Sequence, residues 1–588
     1  SLRQMCLATS TTGPNATRNH SVAANATWMQ NPSTIWVVNY GLIYSTYGRN
    51  PFAATDSTTL GLPKYMLDNA AYKAFPFFNG FGIDIGTQGW LIMDRQEGVH
   101  QIAGSMTKTF SGHTLNAGYE YRRNFLDYAQ PGYPQGHFSF GQQTTSQDLN
   151  TSNSLQGSAF ASFLLGWGNG GDYHIDPKVF NRAAYMGFFV QDDWKLTSKL
   201  TLNLGLRYEF DIPRWELQNR FSYWDLNASA PISVPGYTLK GVYKFVGNGQ
   251  SPFDKDMNNF APRLGIAYAL NSKTSIRTGA GIFYTLSRAT VSGHTGSPFN
   301  TNSTPTWSLD SNATRYITLS NPYPQGLTLP LGSSLGDATF MGLGAGTILR
   351  NTAQNPELYQ WNFSIQREVG FGSLLEVNYL GSRGAKLTNA ASTGLANLNP
   401  IYWLNPGNGA QYTRQQLQAA VPNPFYGIIT NPLATNMRNP TIQFYRLLRP
   451  MMQFDGASSS ELGNGDSSYQ SLQVKWEKRF SHGFQMLAHY TWSKMLDDVS
   501  NGSGNLDWLS NSNGRYLQNL WDYSQEKSYS SNDVPHRLVI TGVYQLPVGQ
   551  GRQWMNHVNR WVDGVVGGWE ISAFYTRQSS QPLQVTQV

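Results

Sequence analysis

Leu200-Thr-Leu-Asn-Leu-Gly-Leu-Arg-Tyr-Glu-Phe210 is the stretch that decides the fold. Leu200, Leu202, Leu204, Leu206, Tyr208 and Phe210 alternate with Thr201, Asn203, Gly205, Arg207 and Glu209. In an extended chain this puts an apolar set on one face and a polar set on the other, whereas a helix would scatter the leucines around its axis. At ~3.3 Å per residue and a tilt of ~40°, such a run crosses about 28 Å, close to the apolar thickness of a membrane spanned by β-strands.

The same grammar recurs along the chain. Within Ser33–Tyr47, Trp36, Val38, Tyr40, Leu42 and Tyr44 alternate with smaller or more polar residues such as Asn39, Gly41 and Ser45. Within His113–Arg122, Leu115, Ala117, Tyr119 and Tyr121 alternate with Asn116, Gly118, Glu120 and Arg122. Tyr359, Trp361, Phe363 and Ile365 alternate in the same way with Gln360, Asn362 and Gln366. The aromatics gather toward the ends of each apolar set, where a membrane–water girdle would lie.

Very short turns join these segments in pairs: Ser111-Gly112, Thr197-Ser198-Lys199, Asn271-Ser272-Lys273, Gly370-Phe371-Gly372 and Ser481-His482-Gly483. The paired strands are expected at 97–110 with 113–124, 181–195 with 200–211, 257–270 with 274–285, 355–369 with 373–382, and 467–480 with 484–494. Two more pairs, 20–29 with 33–47 and 535–547 with 568–578, bring the expectation to about 14 strands, with one extra strand near 219–225. The connections at about 125–180, 286–354, 383–466 and 495–534 are long and rich in Gly, Asn, Ser and Pro. This asymmetry predicts an all-β, transmembrane antiparallel β-barrel in one domain, with short periplasmic turns and long extracellular loops.

Composition fits that architecture and excludes others. Of the 588 residues, only 13% are charged, about half the share usual in soluble domains, and 13% are aromatic. Mean hydropathy is −0.40, and no run of about 18 apolar residues occurs, which rules out a bundle of transmembrane helices. Cys6 is the only cysteine, so neither a disulfide framework nor a multi-thiolate metal site is possible. The formal charge of +7 comes without a dense Lys/Arg run, so no nucleic-acid partner is expected. Ser1 opens a polar segment without the features of a secretory signal, and the chain is expected to begin downstream of its natural start or to have been processed.

Strand phase sorts the candidate functional residues. Glu120, Arg122, Arg207, Glu209, Asp211, Arg277, Glu376, Lys475 and Glu477 are expected to face the lumen, toward a plug or a substrate. Trp36, Tyr40, Tyr44, Leu204, Leu206, Tyr208, Trp361, Phe363, Trp476, Trp492 and Trp569 are expected to face lipid. The loop aromatics Trp307, Tyr316, Tyr402, Trp403, Tyr412 and Trp508 are the candidates for ligand contact. Gly332-Ser-Ser-Leu-Gly336 matches a nucleophile-elbow pattern but lies in a Gly- and Ser-rich loop without evident His and acid partners, so no enzymatic activity is expected. Asp497, Asp498, Asn501, Asn505 and Asp507 offer oxygen ligands without the spacing of a known calcium loop, and the 10 histidines show no ligand pair on one strand face. No cofactor or metal is expected.

Gly187-Phe-Phe-Val-Gln-Asp-Asp-Trp-Lys-Leu196, running into Leu200–Phe210, resembles the barrel signature of TonB-dependent receptors. Phe160-Ala-Ser-Phe-Leu-Leu-Gly166, Asn259-Phe-Ala-Pro-Arg-Leu-Gly-Ile-Ala-Tyr268, Gln360-Trp-Asn-Phe-Ser-Ile-Gln-Arg367 and Val377-Asn-Tyr-Leu-Gly-Ser-Arg-Gly384 resemble the Oar-like subgroup. Ser468-Tyr-Gln-Ser-Leu-Gln-Val-Lys475, Tyr490-Thr-Trp-Ser-Lys494, Val534-Pro-His-Arg-Leu538 and Gly567-Gly-Trp569 complete the series, which is specific because it occurs whole and in order. The resemblance implies a barrel of about 22 strands, of which residues 1–588 hold about 14. The plug with its TonB box, an N-terminal sandwich and the last strands are expected outside this sequence. It implies an outer-membrane transporter of a Gram-negative bacterium that binds a large substrate at its extracellular loops and imports it through the plugged barrel. Its implied partners are membrane lipid and lipopolysaccharide, the TonB energising complex, and a surface lipoprotein or a peptide or protein ligand. The alternative is a structural or interaction protein whose loops bind surface proteins or matrix without transport.

Overall fold

The computed structural model describes residues 13–582, apart from 52–56, 150–154, 248, 286–297, 351–353, 390–392, 395–398, 400–401, 403–410, 432–433, 461 and 499–525. Its main element is one antiparallel sheet in which each strand pairs with its neighbours in chain order. The strands are β1 (Asn15–Asn31), β2 (Thr34–Arg49), β3 (Met93–Phe110), β4 (His113–Ala129), β5 (Val179–Lys195), β6 (Leu200–Glu216) and β7 (Asn259–Asn271). They continue as β8 (Thr274–Tyr284), β9 (Glu357–Gly370), β10 (Ser373–Asn389), β11 (Leu462–Ser481), β12 (Phe484–Asp497), β13 (His536–Gln545) and β14 (Glu570–Gln578). These are the 14 strands expected, half of them three or more residues longer at the long-loop end, and a fifteenth, Ser528–Tyr529, pairs among the described residues only with the end of β12. No described helix is long and apolar enough to cross a membrane.

The hairpins close where local chemistry permits. Between Phe110 and His113, Ser111 and Gly112 both take positive φ, 41° and 82°, the turn whose twist matches that of the flanking strands. Gly370-Phe371-Gly372 and His482-Gly483 likewise supply positive φ at two of the other tight turns. The segment between β13 and β14 is longer and carries a short helix, Arg560–Val566.

One irregularity has a clear cause. Ala184 pairs with Ile212 but Arg182 pairs with Trp215, so three steps on β6 oppose two on β5. Pro213 lies in that interval, and it has no N–H to give the ladder. The bulge reverses the alternation beyond it, which keeps Arg214 and Glu216 on the same side as Arg207 and Glu209. Both are buried.

The described parts of the long connections form small sheets of their own. The segment near 219–225 forms a strand, Ser222–Ser229, outside the main sheet; it belongs to a second sheet with Lys240–Phe245, Gly344–Leu349, Gly456–Ser460 and Thr393–Gly394. A third sheet joins Phe77–Asn79, His137–Ser139, Gly170–Ile175 and Thr301–Ser303. Two further long connections, 50–92 and 217–258, thus join those read from the sequence on the same side. Each assembly has its own apolar core. Trp224 meets Tyr243 and Phe454 edge-on at centroid distances of 5.2 and 5.0 Å, and Phe138, Phe140, Tyr173, Trp307 and Tyr323 form another core. The connection between β8 and β9 contributes to both, binding the loops into a folded cap.

Candidate functional site

Register assigns every candidate to a face, because directly paired residues share one. Glu120 pairs with Gly187, which pairs with Glu209; Arg122 pairs with Tyr185, which pairs with Asp211. Leu206 pairs with Val190, and through Ala117 and Met106 the same row reaches Trp36. Followed across all pairings, the nine charged candidates lie on one face, and ten of the aromatic and aliphatic candidates from Trp36 to Trp492 lie on the other. Trp569 stands just before β14, where its Nε1 donates to the Val565 carbonyl at 2.7 Å. On β6, Leu204 and Leu206 are 42% and 44% exposed, against 7% for Glu209 and 0% for Asp211.

The polar face has a centre at Arg207. Its Nε donates to Glu209 Oε2 at 2.7 Å and its Nη2 to Glu120 Oε2 at 3.1 Å, two strands away. Arg122 Nε and Gln101 Nε2 donate to the other Glu120 oxygen at 2.6 and 2.9 Å, and the Tyr185 hydroxyl donates to Glu209 at 2.8 Å. Arg122 also lies over the Tyr185 ring, 4.5 Å from its centroid. The strand between the two glutamates makes this possible because its facing residue is Gly187. A Cβ there would come within 2.5 Å of the Tyr185 hydroxyl and 2.7 Å of Arg207 Nη2. Higher on the same face, Asp211 accepts from Asn355 at 3.3 Å, and Glu216 accepts the backbone N–H groups of Phe180, Gln218 and Arg220.

The other charged candidates lie apart from this centre. Glu376 faces Lys475 in register, and Lys475 Nζ is 3.0 Å from Glu477. Arg277 is exposed and has no ion-pair partner among the described residues. Tyr185, Gly187 and Gln101, which complete the centre, are absent from the sequence-based candidates. Their signal was available: Tyr185, Gly187 and Phe189 fall in the polar phase of a strand whose other phase holds Met186, Phe188 and Val190.

In the cap, Trp307 is a correction. It is 4% exposed, with its Nε1 donating to the Gly170 carbonyl at 2.9 Å, so it is a core residue and is closed to ligand. A large aromatic in a sequence of loop composition looks exposed only until the loops are seen to share a core. Tyr316 is exposed; Tyr412 is half-buried, edge-on to Phe444 at 5.1 Å and 6.3 Å from Tyr402. Trp403 and Trp508 lie outside the described residues, as do Asn501, Asn505 and Asp507. Asp498 accepts the backbone N–H of Asp466 at 2.5 Å, and burial raises its pKa. Among the described residues no group of three or more His, Cys, Asp or Glu side chains is placed to hold a metal.

A polar cluster that follows no period along the chain sits at the base of the cap. Asp172 accepts from His137 at 2.6 Å and from His174 at 2.7 Å, while Asp176 accepts the Gly132 N–H at 2.8 Å. Burial alone would push His174 down, but its hydrogen bond to Asp172 and the Asp176 carboxylate 3.7 Å from its Nδ1 hold it up at about 9. Burial opposes the Asp172 carboxylate too, and the two histidines nonetheless bring it down to about 2. Trp90 lies edge-on to His174 at 5.7 Å, half exposed, with a positive φ of 64°. Arg49 and Gln130 both donate to its carbonyl at 2.7 Å, and these contacts hold the strained backbone in place.

Three solved structures show what the fold is similar to. The outer membrane transporter YddB from Escherichia coli aligns with a TM-score of 0.43 at 8% identity, covering 96% of this chain and 55% of that one. The FrpB iron transporter from Neisseria meningitidis, in its apoprotein form, gives 0.38 at 8% identity, covering 90% and 50%. The ferric-catecholate import receptor Fiu from Escherichia coli K12 gives 0.37 at 10% identity, covering 90% and 52%. The chain thus spans about half the length of the structures it matches. No curated protein matches it. The sequence matches the outer membrane beta barrel domain family over residues 3–588, and the chain belongs to that family, whose place is the outer membrane of Gram-negative bacteria.

Proposed function

We propose that this chain is the barrel part of a TonB-dependent transporter, in which the polar face lines the lumen, the apolar face meets lipid, and the folded cap receives a large substrate on the extracellular side. The observation that carries the reading is the Arg207 centre. Six ionised or hydrogen-bonding side chains from β3 to β6 are tied into one network on a single sheet face, and such a network is stable only against water or protein, not hydrocarbon. In this reading a plug packs on that face, and the TonB complex of the inner membrane displaces it. The Oar-like resemblance favours a peptide or protein substrate. Deleting the TonB partner in the native host is expected to abolish uptake, and uptake unchanged without it would overturn the proposal. A second reading rests on the cap: loops with their own apolar cores would also serve as an adhesion platform, and surface attachment lost on cap deletion while uptake persists would favour it.

A further inference from the structure

The apolar face carries charges only in bands. Across β2–β6, the row through Leu115 holds Lys108 and Asp192. The next three rows, through Ala117, Tyr119 and Tyr121, hold no charged side chain. The row after them pairs Leu42 with His100, His100 with Arg123, and Arg123 with Ala184. From Leu115 to Arg123 the strand climbs about 26 Å, or about 20 Å along the membrane normal at a ~40° tilt, comparable with the ~25 Å apolar band of such barrels. The two charged rows therefore mark its borders, and Arg123 with His100 stands at the border nearer the long loops.

Arg123 differs from its cationic neighbour Arg182. Arg182, on the same face, is 2.6 Å from Asp127 and lies over the Phe125 ring at 5.6 Å, so its charge is already matched. Arg123 is exposed and has no ion-pair partner among the described residues. His100, directly across from it, is exposed, with Nδ1 3.1 Å from the Tyr40 hydroxyl and its ring 6.2 Å from Phe125. Cross-strand neighbours have Cβ atoms ~5 Å apart, close enough for both side chains to reach one anion. A guanidinium fits phosphate through two parallel N–H donors, and a membrane border offers such an anion on a lipid.

We propose that Arg123 and His100 bind a phosphate of a phosphorylated glycolipid in the outer leaflet, the lipid A part of lipopolysaccharide, with Tyr40, one row toward the apolar band, under its acyl chains. The proposal rests on the lumen and lipid assignment above. The test is native mass spectrometry of the full chain released from detergent with lipid A, or with lipid A stripped of its phosphates. The parent is expected to retain the phosphorylated lipid about tenfold more than the stripped one, and Arg123→Gln with His100→Gln to remove that difference. Arg123→Lys should keep most of it, and Arg552→Gln, in the exposed turn segment before β14, should keep all of it. Equal retention of the two lipids by the parent would overturn the site, as would undiminished preference in the double variant. In either case, continued insertion of the parent into vesicles would leave the barrel reading standing, whereas failure to insert would overturn both.

Discussion

Phe188→Arg tests the membrane placement most severely. Phe188 is 47% exposed on the apolar face and lies four residues from Asp192 and four from Ala184, which mark the two charged rows. It therefore sits about 10 Å from either border, at the middle of the apolar band. An arginine at a barrel midplane costs about 2–4 kcal/mol. At about 1.4 kcal/mol per decade, that is a loss of about 30- to 700-fold in the folded-to-unfolded ratio. Gln191→Arg is the control: Gln191 is on the polar face, 3.3 Å from Asp193, and a cation there is expected to change stability by less than about 0.5 kcal/mol. The assay is guanidinium unfolding in lipid vesicles, followed by the mobility difference between folded and heat-unfolded chain. Equal destabilisation by the two substitutions, or a neutral Phe188→Arg, would refute the placement.

Further outcomes follow from the same geometry. Leu204 pairs with Asp192 in the border row, so Leu204→Arg is expected to cost only about 0–1 kcal/mol in the same assay, less than Phe188→Arg. Arg207→Ala leaves buried Glu209 without its cation, although Glu120 keeps Arg122, and should lower the unfolding free energy by about 3–5 kcal/mol, read as a shift in the guanidinium midpoint. In the cap, His174 has its pKa raised from 6.5 to about 9, so its stabilisation is full below pH 6.5 and is lost as pH rises through 9. Asp172 is depressed from 3.8 to about 2, so its share is full above pH 3.8 and is lost as pH falls through 2. Hydrogen exchange in residues 132–137 and 170–176, corrected for intrinsic rates, should therefore show more opening at pH 10 than at pH 6; equal protection would contradict the cluster. Trp307→Ala removes a core indole at a cost of about 3–5 kcal/mol and should expose the cap to protease while the barrel strands stay resistant.

The barrel was legible because its information is local. Period-two alternation in Leu200–Phe210, with tight-turn residues such as Ser111-Gly112, is enough to set strand, phase and partner. The strand lengths were underestimated where alternation breaks for a physical reason: Pro213 shifts the phase, so Arg214 and Glu216 fall out of the pattern although they stay on the polar face. The cap was not legible, because its contacts join distant segments; Trp224 Nε1 donates to the Ser458 carbonyl at 2.9 Å across 234 residues. No window of sequence contains that pair, and Trp307 was misjudged for the same reason. At the polar centre, charge alone pointed to Glu120 and Arg207, while the glycine that lets them meet carried no sign of its role.

The central claim is that the two faces of this sheet see different solvents. Single cysteines placed in turn at residues 186 and 188–191, in a Cys6→Ser background and in lipid vesicles, can each carry a nitroxide whose relaxation reports contact with oxygen dissolved in lipid or with a water-soluble nickel chelate. Strict alternation is expected, with Met186, Phe188 and Val190 positions favouring oxygen and Phe189 and Gln191 positions favouring the chelate. Equal accessibility at adjacent positions, or the opposite phase, would contradict it.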